Sequence, residues 1–599
     1  MDDEQKRWGK VRGGMKLNRK QLLRRMRRAE AVSTKHAHKF VIGRINNIRL
    51  VSREITLWLV FVGVLIAGLG VQILWSQDSY MMTTPQGGGA YVEGAVGRID
   101  TLNPLFSSTD TEVSAARLVF SSLYNYDRTG TLHQDLAMDM VADSSQRVYT
   151  ITMRGDAKWQ DDKPVTAQDV VFTINLIKNP ATRSPLRVNW LDISATALNN
   201  TSVQFTLPAV YAAFPQALTF PIMPMHLLKS LDPSAVRESV FSQSPVGSGP
   251  FKFSRLQQID SATGQKVVHL VANTKYYAGR PKLDRFELRS YPTETALIRA
   301  VNNGEVTGAS DVSVTGVKEV KTKQATITSE SVDSGVYLLF NMQNPVLKDA
   351  SVRQALQLAT NTADIRKALG GGVLPLDGPL LQNQLTGVNV PHAPAPDVVK
   401  ANQLLESDGW KLVNGYRVKD GQTLQLGITT TKDSEYEAVL KQVEAQWHKV
   451  GVKVVTNVID TSSTTSTFVQ NVLQARNFDV LLYELSLGAD PDVYAYWHSS
   501  QIGMSGYNFS NYSNRIVDAS LASARSRIEP DLRNAKYTLF VRQWFADAPA
   551  VALYQSAVEY VTASGVQATR SGGRLVTLAD RYADIQYWTV QNGLMYKTP

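Results

Sequence analysis

Three acidic side chains lie among large aromatic ones late in the chain, in YELSLGADPDVYAYW, residues 483–497. The acids are Glu484, Asp490 and Asp492. Such a group could supply a catalytic acid pair, metal ligands, or the wall of a pocket that binds a solute. Acids on loops more often accept hydrogen bonds from backbone amides or face solvent. The role of this stretch therefore depends on the secondary-structure elements that surround it.

Motifs that would support an enzyme are absent from the sequence. There is no G-x-x-x-x-G-K-[ST] loop, no strand-linked G-x-G-x-x-G and no G-x-S-x-G elbow. VGSGPF from Val246 resembles an elbow, but Pro250 follows where a helix should begin. The histidines form no H-E-x-x-H pair and cysteine is absent. We expect no catalysis, no cofactor and no metal site, with a glycosidase-like pair of Glu484 and Asp490 as the remaining enzymatic alternative.

The basic charge is confined to the N-terminus. The formal net charge is +10, from 63 Lys and Arg against 53 Asp and Glu. Residues 1–54 hold 16 of the basic and 5 of the acidic residues, which leaves 47 and 48 for the rest of the chain. A nearly neutral body argues against a basic groove for DNA or RNA. We expect no nucleic-acid partner.

An apolar stretch follows the basic residues 1–54, which we call the tail. Residues 55–75, ITLWLVFVGVLIAGLGVQILW, carry no charge and can span the roughly 30 Å hydrocarbon core at about 1.5 Å per residue. We predict an uncleaved transmembrane helix in the cell membrane, with the N-terminus cytoplasmic and the body extracytoplasmic. A cleaved signal peptide is the alternative, and the long basic region argues against it. The tail itself is interpreted as an orientation signal near anionic lipid, with a cytoplasmic partner as the alternative.

The rest of the chain alternates helix and strand signals. VYTITM from Val148 predicts a strand, and Thr166 caps the next helix. Further helices are predicted from about Ser351 to Gly370 and up to Gly409. TLQLGITTT, a helix and VKVVTNVI predict a β-α-β unit, and FDVLLYEL predicts a strand that ends in the opening stretch. The pattern indicates α/β lobes with mixed sheets, in which loops at strand ends build the ligand site.

Several stretches of the body occur in the order of one known family. They include RIDTLNPLF, YTITMRGDAKWQDDKPVTAQDVVFTI, PVGSGPFKF, ANTKYYAGRPKLDRFELR and VYLLFNMQNPVLKDASVRQALQLATN. By these motifs the body resembles the extracytoplasmic solute-binding proteins of ABC transporters, in the oligopeptide, dipeptide and nickel group (family 5). One departure is a turn in which Asp162 stands near the position of the family's glycine.

The resemblance implies a two-lobed fold of the periplasmic-binding-protein type (type II, large peptide-binding group) with a hinge. Lobe I would comprise residues 91–334 and 552–599, and lobe II residues 335–551. Residues 76–90, which contain three consecutive glycines, would form a flexible tether. The ligand would be held between the lobes, and ABC permease subunits would recognise the closed form.

The resemblance also raises a question about the ligand. Peptide-binding members carry an aspartate three residues before a D-P or E-P pair, where it binds the peptide's terminal ammonium. Here the pair begins at Asp490, and Leu487 stands at the aspartate's position. Either Glu484 substitutes, or the ligand has no free amino terminus. Leu487 itself would either face the cleft or lie in the hydrophobic core.

Other ligand contacts are expected on both lobes. The family brings a loop of lobe I to the ligand, here around Thr111, Glu112 and Val113, whose backbone could pair with an extended ligand. The further predicted cleft residues are Trp190, Tyr483, Tyr507 and Asn508, because aromatic and amide side chains are common in such clefts.

These expectations combine into one function. The sequence predicts the membrane-anchored substrate-binding subunit of an ABC importer for peptides or peptide-like solutes. The alternative is a receptor with the same cleft that signals through its cytoplasmic tail, and binding of nickel or another solute is less favoured. An enzyme acting on cell-wall peptides has no sequence feature in its support.

Overall fold

The computed structural model describes residues 45–596, except 323–324, 371, 383, 462–467 and 569–572. Most of the predicted cytoplasmic tail lies outside these residues. The chain divides into an N-terminal unit, which reaches Thr84 and also contains the residues from Leu594 onward, and a body, Pro85–Gly593.

Strands and helices alternate along the body, as the sequence predicted. The strands are β1 Met81–Gln86, β2 Ala90–Val96, β3 Tyr124–Tyr126, β4 Leu132–Gln134, β5 Ala137–Ala142, β6 Val148–Met153, β7 Ser194–Asn199, β8 Ser202–Thr206, β9 Phe251–Asp260, β10 Gln265–Ala272, β11 Arg285–Tyr291, β12 Gly308–Val312, β13 Thr326–Phe340, β14 Lys411–Val413, β15 Tyr416–Lys419, β16 Gln422–Thr423, β17 Gln425–Thr431, β18 Lys453–Ile459, β19 Val480–Ser486, β20 Ala550–Thr562, β21 Arg574–Leu575 and β22 Gln591–Tyr596. The α-helices are α1 Ile45–Tyr80, α2 Asp110–Val119, α3 Ala167–Lys178, α4 Arg187–Trp190, α5 Phe214–Ala217, α6 Met225–Leu228, α7 Glu294–Asn302, α8 Ala350–Ala359, α9 Thr362–Leu369, α10 Val398–Ser407, α11 Ser434–His448, α12 Tyr494–Trp497, α13 Arg515–Arg525 and α14 Pro530–Asp547.

The N-terminal unit is dominated by the single helix α1. Its segment Ser52–Ile73 has 22 residues with a mean hydropathy of 2.2, and none of it is buried. A helix of this length and composition can cross a bilayer, and a signal sequence shares both properties. The residues predicted as a tether contain the end of α1 and the strand β1, which pairs with β22.

One large mixed sheet runs through the body. Its order is β18-β17-β19-β13-β20-β12-β2-β11-β10-β9, with β21 added beside β13. The two central strands, β13 and β20, are antiparallel and the longest, with 15 and 13 residues. A four-stranded sheet, β5-β6-β8-β7, lies outside this path.

The body has separate hydrophobic cores at the two ends of the large sheet. One group of cores is built from residues that precede Val314 or follow Ala557 in the chain, and includes Trp159 and Trp588. The other is built from residues between these two positions. We call these parts lobe I and lobe II. The fold is thus a two-lobed mixed α/β fold, as predicted, and the central strands pass from one lobe to the other.

Local sequence signals account for several element boundaries. Thr166 and Asp169 form the predicted capping box of α3. The Asn-Gly and Asp-Gly pairs at 414–415 and 420–421 all have positive φ, as two-residue hairpin turns require. The β-α-β unit is β17-α11-β18, with parallel strands.

Two local details differ from the simplest expectation. The helix predicted from about Ser351 to Gly370 is two helices, α8 and α9, because Asn361 caps a new start and accepts the N–H groups of the first turn. Asp162 has φ +72, so it adopts the left-handed conformation that glycine would favour in that turn.

Candidate ligand-binding cleft

The cleft begins with three side chains in a row across the middle of the large sheet. Val336 of β13 lies opposite Glu484 of β19 and opposite Tyr554 of β20. Directly opposed residues point to the same face of a sheet, and neighbouring strands are about 4.8 Å apart. Glu484 and Tyr554 therefore share one face, at a core of lobe II.

The first turn of α11 brings further acids to this face. Asp433 caps the helix and accepts the N–H groups of Glu435 and Tyr436. The Tyr554 hydroxyl donates to Glu435 Oε1 at 2.7 Å. Burial raises the pKa of Glu435 to about 7, with the charges of Asp433 and Glu484 adding to the effect and the Tyr554 hydroxyl opposing it.

Lobe I contributes two carboxylates. Asp110 is the first residue of α2, after the Thr109 cap. Asp110 is exposed to solvent, and the surrounding protein raises its pKa, with the charge of Arg581 opposing the change. On β12, Asp311 accepts the Val96 N–H through Oδ2 at 2.8 Å. Burial raises the pKa of Asp311 to about 7, with Asp110 adding to the effect and Arg581 opposing it.

Electrostatic interactions connect the acids of the two lobes. Burial raises the pKa of Glu484, the Ser556 and Ser334 hydroxyls oppose the change, and the charges of Asp110 and Asp433 reinforce it. Asp110 of lobe I is therefore close enough to Glu484 of lobe II for the two charges to interact. We call Asp110, Asp311, Glu435 and Glu484 the acidic cleft.

The acidic cleft has no basic counterpart among the described residues. None of its four carboxylates forms a salt bridge in that part of the chain. Arg581 acts on Asp110 and Asp311 at longer range, but its guanidinium is buried and donates to Glu93 Oε1 at 2.7 and 3.1 Å. The described residues also contain no group of three acidic or histidine side chains arranged to hold a metal ion.

A buried hydroxyl completes this site. Ser556 is 8% exposed, and its Oγ has no hydrogen-bond partner. It lies two residues beyond Tyr554 on β20, on the same face, and it lowers the pKa of Glu484. The hydroxyl therefore lies beside the Glu484 carboxylate and favours its charged form.

The lobe I loop predicted from the resemblance lies at this cleft, but two of its side chains have other partners. Glu112 is buried and accepts the N–H groups of Asp100 and Ser108, both at 2.8 Å. Thr111 is buried too, and its hydroxyl donates to the Val96 carbonyl at 2.9 Å. Val113 is 37% exposed, so it is the side chain of this predicted trio that can contact a solute.

Tyr483 and Leu487 lie on the other side of the sheet from Glu484, and Tyr507 follows the opening stretch in the chain. Tyr483 packs with Phe509 at 5.8 Å between ring centroids. Leu487 is 4% exposed, in the core that Tyr483 borders. Tyr507 is exposed and its ring is 6.2 Å from that of Phe509. Successive strand residues alternate in direction, which separates Tyr483 from Glu484.

Two predicted cleft residues are fully engaged in structural contacts. Trp190 is buried in an aromatic cluster, with ring centroids 4.9 Å from Phe220 and 6.1 Å from Phe205. Asn508 is buried and donates to the Tyr512 carbonyl at 2.8 Å, while Tyr512 N–H donates back to its Oδ1 at 3.0 Å. Both amide atoms of Asn508 therefore have partners within the protein, and the Trp190 ring packs against other aromatic rings.

The acids after Glu484 have arginine partners. Arg533 donates to both oxygens of Asp490, at 2.8 Å through Nη1. Arg525 Nε donates to Asp492 at 2.9 Å. Asp490 also accepts the Asp492 N–H, as a turn-forming acid does. Because Asp490 is tied to Arg533, it does not form a free acid pair with Glu484.

The resemblance of VGSGPF to a nucleophile elbow has a packing explanation. A Cβ on Gly247 would lie 1.9 Å from the Val119 carbonyl oxygen, and one on Gly249 would lie 2.7 Å from the Val119 carbonyl carbon. Both glycines are required for this backbone approach to the end of α2. Ser248 is fully buried.

Sequence reasoning missed Asp110, Asp311 and Glu435. Asp110 is adjacent to the predicted loop. Glu435 lies in the first turn of α11, whose start is marked by the cap residue Asp433. The sequence therefore carried a local signal near Asp110 and near Glu435. Nothing near Asp311 in the sequence indicates that β12 would bring it beside Asp110.

The fold and the site define a two-lobed solute-binding protein, with ionisable groups of both lobes facing one cleft. The chain belongs to the bacterial extracellular solute-binding proteins, family 5, whose model for the middle region matches residues 131–505.

Known relatives cover most of the chain. The oligopeptide-binding protein AppA of Bacillus subtilis is 29% identical over 488 residues, which cover 78% of this chain and 87% of AppA. NikZ from Campylobacter jejuni, solved with Ni(L-His), has a TM-score of 0.72 at 26% identity and covers 84% of this chain and 99% of its own. The solved AppA of Bacillus subtilis with a nonapeptide has a TM-score of 0.71 at 24% identity, over 85% of this chain and all of AppA.

Proposed function

We propose that this protein is the membrane-anchored substrate-binding subunit of an ABC importer and that it captures peptides or peptide-like solutes between its lobes. The observation that carries the proposal is the acidic cleft, to which Asp110 and Asp311 of lobe I and Glu435 and Glu484 of lobe II contribute. Contacts with both lobes at once exist only in the closed form, so a ligand that makes them shifts the population toward closure.

Closure requires a flexible connection, which the central strands can provide. The pairing of β13 with β20 is interrupted between Ser331 and Gly335. Within this bulge, Asp333 pairs with Arg574 at 2.6 Å, and its carbonyl accepts the N–H groups of Leu487 and Gly488. A bulge loosens the strand pairing locally, so we place the hinge here, close to the predicted lobe boundary at 334/335.

Glu484 takes the role of the missing family aspartate in this proposal. It lies on the cleft face, whereas Leu487 lies in the core. A carboxylate in a cleft largely closed to water binds an ammonium group through a charge-assisted hydrogen bond. Delivery to a permease and anchoring through α1 complete the proposed cycle, and the apolar segment Ser52–Ile73 supports the anchor.

Native mass spectrometry of the full chain, released from detergent micelles, tests the function. Peptides that co-purify and dissociate on mild denaturation would support it, and Glu484→Gln should reduce their occupancy. Glu437→Gln is the matched control, because Glu437 is exposed on the same helix as Glu435. An empty protein that a peptide library does not stabilise in a thermal-shift assay would overturn the peptide assignment.

A further inference from the structure

The two lobes also contact each other through elements other than the central strands. The N–H of Ala212 in lobe I donates to the carbonyl of Arg525 in lobe II at 2.9 Å. Ala212 lies in the loop between β8 and α5, just before Phe214, which belongs to a core of lobe I. Arg525 ends α13, and the preceding Ala524 belongs to a core of lobe II. This hydrogen bond therefore exists only while the lobes are together.

The side chain of Arg525 adds to this contact. Its guanidinium carbon lies 5.3 Å from the ring centroid of Tyr211, the residue before Ala212, and Tyr211 packs against a core of lobe I. The same carbon lies 4.0 Å from the ring centroid of Tyr494 in lobe II, and Nε donates to Asp492 at 2.9 Å. Aromatic rings attract cations that lie within about 6 Å of their centroid. A cation of lobe II is thus placed against an aromatic ring of lobe I.

Lobe II by itself holds Arg525 in the position that this contact requires. Asp492 and Tyr494 both belong to lobe II, and together they restrict the guanidinium. Because the side chain is already ordered, less conformational entropy is lost when lobe I approaches. The side chain is also 34% exposed, so it can separate from Tyr211 on opening without leaving a buried, unpaired charge.

A weaker contact joins the lobes through α7 and α11. The Ser434 hydroxyl at the start of α11 donates to Glu294 Oε2 of lobe I at 3.4 Å. This distance is long for a hydrogen bond between two oxygen atoms, and no cation takes part. We therefore expect the contact of Arg525 with Tyr211 to contribute more to closure.

We propose that Arg525 is a positioning residue that holds the two lobes together through the ring of Tyr211 and the backbone of Ala212. We call these three residues the clasp; none of them belongs to the acidic cleft. A contact that is made only in the closed form raises the closed population by its own free energy. A captured ligand leaves after opening, so the clasp lengthens the time for which it stays bound. The statement on ligand release rests on the proposed function, whereas the statement on closure does not.

Distance measurements between the lobes test the effect on closure. The chain contains no cysteine, so spin labels can be attached at Val188→Cys in lobe I and Leu532→Cys in lobe II, two exposed positions. Pulsed dipolar spectroscopy of the full chain in detergent micelles, after extensive dialysis and with no peptide added, gives the distribution of label distances. We expect a population at short distance, and its ratio to the population at long distance should fall roughly three- to tenfold in Tyr211→Ala.

Matched variants separate the clasp from general effects on folding. Tyr211→Phe keeps the aromatic ring and should keep the short-distance population, whereas Arg525→Ala should shift it as Tyr211→Ala does. Tyr587→Ala is the control, because Tyr587 is an exposed tyrosine of lobe I outside the clasp. The thermal midpoint of each variant shows whether it is folded. Tyr211→Ala breaks no ion pair, so it gives a result even where Arg525→Ala does not fold.

Release of bound peptide provides the second measurement. The dissociation rate of a co-purified peptide should rise by the same factor of roughly three to ten in Tyr211→Ala. Equal distance distributions in the labelled chain, Tyr211→Ala and Arg525→Ala would overturn the inference and leave the peptide function standing, as would an equal shift in Tyr587→Ala. A shift toward long distances in Tyr211→Ala, in a chain that binds no peptide, would support the clasp and overturn the peptide function.

Discussion

Two groups of acidic side chains in this protein are similar in composition but differ in whether arginine side chains pair with them. Asp490 and Asp492 follow the end of β19 and are held by Arg533 and Arg525. Glu484, on the same strand end, has no such partner among the described residues, and its carboxylate interacts with acids of α2 and of the α11 cap. The difference shows that local density of carboxylates does not identify a binding site. A carboxylate is free for a ligand only where no helix from a distant part of the chain places a cationic side chain beside it.

The largest effect should come from breaking a paired acid. Asp490→Ala leaves the guanidinium of Arg533 largely buried without its carboxylate, so we expect the free energy of unfolding to fall by about 3 kcal/mol. Urea denaturation measures the change. The conservative variant Glu484→Gln, in the unpaired group, should cost much less; an equal loss from both would remove the distinction between the two groups.

A smaller effect, dependent on pH, should follow from neutralising an unpaired acid. The pKa of Glu435 in the folded protein is about 7, above its ordinary value. The folded state therefore binds more protons, and its stability falls as pH rises from about 4.5 to about 7 and stays lower above that.

Glu435→Gln should remove this loss. We expect it to stabilise the protein at pH 8 by about 1 kcal/mol, since the group is partly solvated, and to have no effect at pH 4. Thermal unfolding at both pH values provides the measurement, with Glu437→Gln as the control. A variant that destabilises the protein equally at both pH values would show that Glu435 acts through its hydrogen bond with Tyr554 alone.

The smallest effect on stability should come from the unpartnered hydroxyl. Ser556→Ala removes no hydrogen bond of the protein, so the free energy of unfolding should change by less than about 0.5 kcal/mol. Ser334→Ala, on the same cleft face, serves as a comparison. If Ser556 binds a ligand, its removal should weaken binding of a co-purified peptide in titration calorimetry while stability is retained. A clear loss of stability would assign the hydroxyl a structural role.

Much of the fold was predictable because its signals are local. Hydrophobic periodicity and the capping box at Thr166 each act within a few residues, and they predicted the strands β6, β17, β18 and β19 and the helices α3, α10 and α11. The break between α8 and α9 was missed, since a single Asn361 in a sequence with continuous helical periodicity can cap a new helix.

The candidate site was predictable only in part. Glu484 was found because a sequence motif surrounds it, and Val113 because the resemblance marks its loop. Trp190 and Asn508 were predicted for the cleft by residue type alone, and the structure places both in buried structural contacts. Residue type does not distinguish an aromatic ring in a core from one in a cleft.

By itself, the sequence determined the mixture of helices and strands, the apolar segment near the N-terminus and the family. Those properties depend on composition and spacing along the chain. Tertiary structure alone decided which acids are free. Pairing of Asp490 with Arg533 and the approach of Asp110 to Glu484 join residues dozens to hundreds of positions apart, and a charge responds to its neighbours in space rather than to its neighbours in sequence.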